Sequence, residues 1–258
     1  MRCDRSRREL IPGYHAVRET LLRGFPAAEA LWIVHGRRSV RLESLCVLAA
    51  ERGIPVIEVD ASELESGAPG IAHQGVALLS APFSYTPLDD AVGAVERSES
   101  GLVLVLDHIT DEGNFGAILR TAAFFGVHCV VIPKDRSAQV TPSVVKRASG
   151  AHAFTCVSRV VNLGRAIEQL KEAGYWVVGA AGEAPAPFDE FDWRVPVALV
   201  MGNERKGLGT AVRKSCDHLV SIPSVGPVES LNVSVAAGVL LGEASRQRRG
   251  MWERTAAG

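Results

Sequence analysis

The sequence has no apolar run long enough to cross a membrane, and its first ten residues, MRCDRSRREL, are charged where a secretory leader would be apolar. These absences predict a soluble, cytoplasmic protein without membrane contact. Cysteine is sparse: Cys3, Cys46, Cys129, Cys156 and Cys216 are scattered, with no CxxC pair and no Cys/His group at zinc spacing. Neither a disulfide framework nor a metal site is expected, and most of the thiols read as small buried apolar residues. The seven histidines never occur as HxH or HExxH, no GxSxG elbow is present, and GAAGEA lacks the glycine spacing of a dinucleotide fingerprint. An excess of one charge is also missing. Lys and Arg number 28 against 29 Asp and Glu, a net charge of -1, which excludes a uniformly basic nucleic-acid binder.

What is present is an uneven distribution of that charge. Residues 1–41 hold nine Arg against four acids, residues 42–100 two Arg against ten acids, and residues 113–171 eight Lys and Arg against two acids. Two basic segments around an acidic one suit contact with a polyanion through chosen faces, or an ordinary solvated surface. Hydrophobic residues make up 47% of the 258, enough for a sizeable core.

The pattern of apolar residues predicts an α/β protein. Near the start, a helix over residues 15–23 ends at Gly24, and a helix over 40–52 is stopped by Gly53, with strands at 30–34, 55–59 and 76–80. The Pro-rich stretch APFSYTPLDD reads as a connector, dividing the chain into residues 1–82, a linker 83–97 and residues 98–258. The last part alternates strands at 102–106, 127–132, 153–157, 175–180, 197–201 and 219–222 with helices starting at Asn114, Thr141, Asn162 and about Leu231. Near-continuous apolar strands alternating with helices mean a mostly parallel sheet covered on both faces. The final helix is expected to end near Arg249, with Arg246, Arg248 and Arg249 at its negative end.

Ligands of such sheets bind beyond the carboxyl ends of the strands, and three loops there stand out. In LDHITDEGNFGAILRTA, residues 106–122, a strand runs into a helix that carries Arg120. It is either a phosphate seat or a well-capped helix with a surface arginine. In ALVMGNERKGLG, residues 198–209, Gly202 and Gly207 bracket four residues as in a P-loop, but Leu208 and Gly209 follow where Lys and Ser/Thr are needed. Those glycines suit close backbone approach to a ligand, with Glu204 nearby. In IPSVGPVESLNVSVAAGVLL, residues 222–241, Ser230 or Asn232 caps a helix of small residues. Such a helix packs closely on a neighbour or leaves room for a threading segment.

Together these loops resemble the three motifs of the SpoU (TrmH-like) family of RNA methyltransferases: N-x-G with Arg120, then M-G-N-E-x-x-G, then I-P…S-L-N-V-S-V-A. IPGYHAVRETL and HQGVAL resemble the family's substrate-binding domain, and PKDRSAQ with AAGEA the branch that methylates a guanosine in 23S ribosomal RNA. The resemblance implies a SPOUT-type C-terminal domain with a deep trefoil knot and a small α/β N-terminal domain like ribosomal protein L30e. It implies S-adenosyl-L-methionine held by Gly202, Ile222 and Leu231, with Ala180, Asn203 and Pro223 beside them, and no metal. It implies a homodimer acting on RNA rather than DNA, in which Arg120 serves methyl transfer and Asn114, Glu204, Ser230 and Asn232 orient Arg120 and the ribose. A free guanidinium keeps its proton to above about pH 12, so a phosphate clamp that also steadies an alkoxide suits Arg120 better than simple base catalysis. Two alternatives stand beside this: a tRNA ribose methyltransferase of the same family, and a non-catalytic RNA-binding or ribosome-assembly protein.

Overall fold

The computed structural model describes residues 8–23, 28–93 and 101–255. Gly24, Cys3 and the end of the predicted linker lie outside the described residues. Contacts divide the chain into two compact units: Met1–Ser84 with Val140–Phe154, and Tyr85–Gln139 with Thr155–Gly258.

The first unit contains β1 (Glu9–Pro12), α1 (Tyr14–Arg23), β2 (Ala28–Val34), α2 (Val40–Glu51), β3 (Val56–Val59), α3 (Ala61–Gly67) and β4 (Val76–Ser80). Its sheet runs in the order β1-β4-β2-β3, with β4 antiparallel to both neighbours and β2 parallel to β3. Strand β2 alternates as a sheet residue should: Leu31 and Ile33 are buried, whereas Trp32 on the opposite face joins the cluster of Leu10, Leu64 and Ala77. Helix α2 starts where Ser39 accepts from Leu42 N at 3.2 Å, and buries Leu42, Leu45 and Ala49 on one stripe.

The second unit holds α4 (Leu88–Gly93), β5 (Leu102–Leu106), α5 (Glu112–Phe124), β6 (Cys129–Pro133), β7 (Cys156–Val160), α7 (Leu163–Glu172), β8 (Trp176–Ala180), β9 (Ala186–Pro187), β10 (Val197–Met201), α8 (Thr210–Ser215), β11 (His218–Ser221) and α9 (Val233–Thr255). The sheet order is β7-β6-β5-β10-β8-β11-β9, and every pairing in it is parallel. Val103, Val105, Val131, Val177 and Val200 pack with Leu88 and Val92 of α4 and with Ile167 and Leu170 of α7. The alternate residues Leu104, Leu106, Val130 and Leu199 are buried as fully. Both faces of the sheet are therefore covered, as the apolar strands predicted.

The remaining helix, α6 (Pro142–Arg147), has the predicted start: Thr141 accepts from Val144 N at 3.3 Å and Pro142 occupies the first turn. It belongs to the first unit, as does the short turn Ala151–Ala153 after it. That turn displaces the predicted strand at 153–157 to Cys156–Val160. Its Ala151 and His152 are buried in the first unit instead of pairing in the sheet, and periodicity cannot separate those two fates. Two further expectations change. Residues 88–93, inside the stretch read as a connector, are helical. Helix α9 runs to Thr255, so Arg248 is not at its end. It is buried, with Nε donating to Trp193 O at 2.6 Å and a terminal nitrogen to Val195 O at 2.7 Å, and burial pushes its pKa down to about 10. Arg246 instead pairs with Glu243 at 2.7 Å.

His152 is also buried, its Nε2 3.4 Å from Thr20 Oγ1, whose own proton goes to Ala16 O at 2.7 Å. Burial pushes its pKa from 6.5 down to about 4. As pH falls through that window the unfolded chain takes up a proton that the folded chain refuses, so stability present at neutral pH is lost toward acid. The loss is expected to be roughly 1.4 kcal/mol per pH unit and about 3 kcal/mol in all. Urea unfolding across the window measures it, and His152→Gln should flatten the slope. An unchanged midpoint from neutral to mildly acid pH would place the imidazole in water.

Candidate active site

Three strand ends build the site. Strands β5 and β10 are neighbours from which the sheet is filled in opposite directions, the kind of switch point that opens a crevice at the carboxyl ends. Beyond β5, Asp107 is buried; its Oδ2 accepts from Gly209 N at 2.7 Å and its Oδ1 lies 2.6 Å from His108 Nδ1. This carboxylate ties the first loop to the second. His108 adopts the left-handed conformation (φ 58°), and its carbonyl accepts from Asn203 Nδ2 at 2.8 Å. Asp111 caps α5 by accepting from Asn114 N at 2.7 Å, which places Asn114 in the first turn rather than at the helix start.

Beyond β10, the backbone folds back at once: Asn203 N donates to Gly207 O at 3.0 Å and Gly207 N to Asn203 O at 2.8 Å. A Cβ on Gly202 would lie 2.3 Å from Gly207 C and 2.4 Å from Leu208 N. The glycine is thus required by the loop's own closure, a nearer cause than the approach of a ligand. Beyond β11, Asn232 rather than Ser230 caps α9, its Oδ1 accepting from Ser234 N at 2.8 Å. Gly238 and Gly242 face Thr121 of α5 and Phe125 at its C-cap, so the small residues of α9 serve close helix packing.

The motif residues meet through one amide. Asn114 Nδ2 donates to Glu204 Oε1 at 2.8 Å, and Asn114 Oδ1 accepts from Asn232 Nδ2 at 2.9 Å. Each amide is oriented by its neighbours, and the chain Glu204–Asn114–Asn232 links all three loops through a half-buried Asn114 flanked by exposed Glu204 and Asn232. Ser230 is exposed, and no hydrogen bond joins it to that chain among the described residues. Arg120 is exposed on α5, about one and two-thirds turns beyond Asn114. Ala180, Asn203 and Gly202 sit close together because Ala180 is in register with Met201 on one side and Val220 on the other. Ile222 continues from β11, half-buried, whereas Pro223 and Leu231 are exposed.

Sequence reading missed Asp107, His108 and Asp111. Asp111 carried a signal, an aspartate three residues before Asn114 at the start of an apolar period. Asp107 carried only its place, an acid at the end of an apolar strand. Cys216 is no nucleophile: burial is the main cause that raises its pKa to about 11. Among the described residues no three His, Cys, Asp or Glu converge as a metal site, and no helix is long and apolar enough to cross a membrane.

Comparison with known proteins matches this geometry to a family. The SpoU rRNA Methylase family matches residues 101–242, and the RNA 2'-O ribose methyltransferase substrate binding family matches residues 10–86. An uncharacterized tRNA/rRNA methyltransferase of Mycolicibacterium gilvum is 43% identical over 243 residues, covering 93% of this chain and 77% of that protein. The 23S rRNA (guanosine-2'-O-)-methyltransferase RlmB of Pseudomonas putida is 42% identical over 245 residues, covering 95% of this chain and 98% of that one. Among solved structures, the SpoU methyltransferase AviRb from Streptomyces viridochromogenes, in complex with the cofactor AdoMet, superposes with a TM-score of 0.80 at 27% identity over 95% of this chain and 92% of that one. The protein with the Glu204–Asn114–Asn232 chain at its strand ends belongs to the SpoU rRNA methylase family.

Proposed function

We propose that this protein transfers a methyl group from S-adenosylmethionine to the ribose 2′-oxygen of a guanosine in 23S rRNA. The observation that carries the reading is the amide chain joining Glu204, Asn114 and Asn232, which makes one polar site out of three distant motifs. A non-catalytic RNA-binding protein would have no need of it.

The cofactor fits the strand ends. Gly202, Asn203, Ala180, Ile222, Pro223 and Leu231 would hold it, largely through backbone, since the atoms nearest to Gly202 across the closed loop are main-chain atoms of Gly207 and Leu208. Bound there, the cofactor supplies an activated methyl group. The chain's own residues then position the acceptor: Asn114 and Asn232 with Glu204 fix polar groups toward the ribose, and Arg120 neutralises the adjacent phosphate and the developing alkoxide. Ser230 lies two residues before Asn232 in sequence and completes the orienting set. The 2′-hydroxyl itself distinguishes RNA from DNA.

Three architectural points belong to the same reading. The chain leaves β11, outside β8, yet Asn232 and α9 lie against α5, which follows β5, so motif three crosses the ends of β8 and β10; this path supports a deep trefoil knot. Phe124 on α5 and Val235 on α9 are 81% and 52% exposed, and these apolar residues on two packed helices support a homodimer. The first unit, a mixed sheet with helices like that of ribosomal protein L30e, selects the RNA, and the protein works in the cytoplasm where rRNA matures. Ribose-methylation mapping of 23S rRNA from a deletion strain should show one lost guanosine methylation, restored by the wild-type gene. An unchanged 23S map would sink the assignment, and a lost tRNA methylation would redirect it.

A further inference from the structure

In the first unit three loops converge on a cluster that the motifs of methyl transfer do not use. Gly13 N donates to Val76 O at 3.0 Å and Tyr14 N to Gln74 Oε1 at 3.3 Å, joining the start of α1 to the turn before β4. The loop after β2 closes over the same turn: Val34 N donates to Gly75 O at 3.0 Å, and Arg37 fills the space that a side chain on Gly75 would need, its Cδ 2.5 Å from an added Cβ. Arg41 of α2 stands over the Tyr14 ring at 5.7 Å, and His15 meets that ring edge-on at 5.2 Å.

Two features separate this cluster from ordinary solvated surface. Arg37 and Arg41 are exposed, and among the described residues neither has a carboxylate within ion-pair distance. Gln74 is exposed in the left-handed region (φ 57°), where glycine would be easier, and its anchored oxygen leaves the amide Nε2 to donate outward. Strained, exposed polar residues of this kind gather at ligand clamps. The combination is the chemistry of an unstacked nucleotide: an aromatic ring for the base, guanidinium groups for flanking phosphates and a fixed amide donor for a base edge.

We propose that Tyr14, Arg37, Arg41 and Gln74 form a subsite of the first unit that holds one unpaired nucleotide of the RNA. The proposal rests on the reading of the chain as an RNA methyltransferase. The base lies against Tyr14, a flanking phosphate on Arg37, and Gln74 Nε2 donates to a base acceptor. A duplex, whose bases are stacked and whose edges are paired, does not fit.

The test uses the full-length protein and fluorescence anisotropy with a labelled 23S rRNA fragment containing an internal loop, beside a fully paired duplex of the same length. Gln74→Gly removes the donor and the bond to Tyr14 N while relieving the strained backbone; these opposing effects should leave melting close to wild type, with the looped RNA bound roughly tenfold more weakly. Arg37→Ala should weaken binding by a similar factor and reduce the salt slope by about one unit. In methylation assays both should raise KM for RNA while kcat and cofactor affinity hold. Wild-type RNA affinity in both variants, or equal wild-type affinity for loop and duplex, overturns the subsite. If the wild-type protein methylated no RNA, the methyltransferase reading would fall, and the anisotropy series would still decide the subsite.

Discussion

Arg120→Ala is expected to lower methyl transfer by about a hundredfold to a thousandfold, the scale of losing one preorganised group that stabilises developing charge. Melting temperature and cofactor affinity should stay nearly unchanged. The fold of α5 rests on Phe115, Ile118, Leu119 and Ala122, which are buried, and Arg120 is on the exposed side. It lies six residues beyond Asn114, about 9 Å along the axis and about 120° around it. Its backbone position is therefore set apart from the amide chain at the start of the same helix. Its long side chain suits a clamp on the phosphate beside the ribose that the amide chain is proposed to orient. Arg120→Lys should be nearly as damaging, because a point charge does not reproduce the planar fork that grips two oxygens at once. Single-turnover methylation with labelled cofactor, beside calorimetry on the same samples, is the measurement. Near-normal turnover would reduce Arg120 to a surface residue, and loss of folding would make it structural.

The sheet of the second unit was legible because its strands are short apolar runs bounded by turn residues, and Leu102–Leu106 and Val197–Met201 appear at the predicted limits. The helix at Pro142 was legible through Thr141 and its following proline. What escaped were elements whose residues carry no period of their own. Strand β1 has four residues and α4 six, too short for a stripe, and their burial is decided by partners remote in sequence. Strand β7 was misplaced by three residues because Ala151 to Ala153 form a turn of the first unit, in which Ala151 and His152 are buried. Arg248 was read from charge and helix direction, whereas its position depends on carbonyls at Trp193 and Val195. The site divides the same way. Asn114, Glu204 and Asn232 stand out as motif members, but the bonds between them join residues 90 and 118 positions apart. No local pattern encodes those bonds, nor the pairing of Asp107 with Gly209 that fixes one loop against the other.

Gly202→Ala is expected to weaken S-adenosylmethionine binding by at least about a hundredfold, although a methyl group is the smallest side chain that can be added. An alanine Cβ would lie 2.3 Å from Gly207 C, 2.4 Å from Leu208 N and 2.5 Å from Gly207 O, well inside any real contact. The obstacles are backbone atoms, which cannot rotate aside as a side chain would. Residues 207 and 208 must move, breaking the paired bonds between Asn203 and Gly207 and drawing Gly209 N away from Asp107. Asn203 would then lose its hold on His108 O, and Glu204 its position against Asn114. The main-chain groups proposed to hold the cofactor and the amide chain proposed to orient the ribose are lost together. The fold should survive, because Val197 to Met201 remain paired with β5 and β8, at a cost of about 1–3 kcal/mol for the displaced loop. Gly93→Ala, where nothing lies within 4 Å of the added carbon, is the control and should bind cofactor normally. Calorimetry with S-adenosylmethionine, after circular dichroism has shown both variants folded, decides the matter. Wild-type affinity in folded Gly202→Ala would mean that the cofactor binds elsewhere than the loop beyond β10.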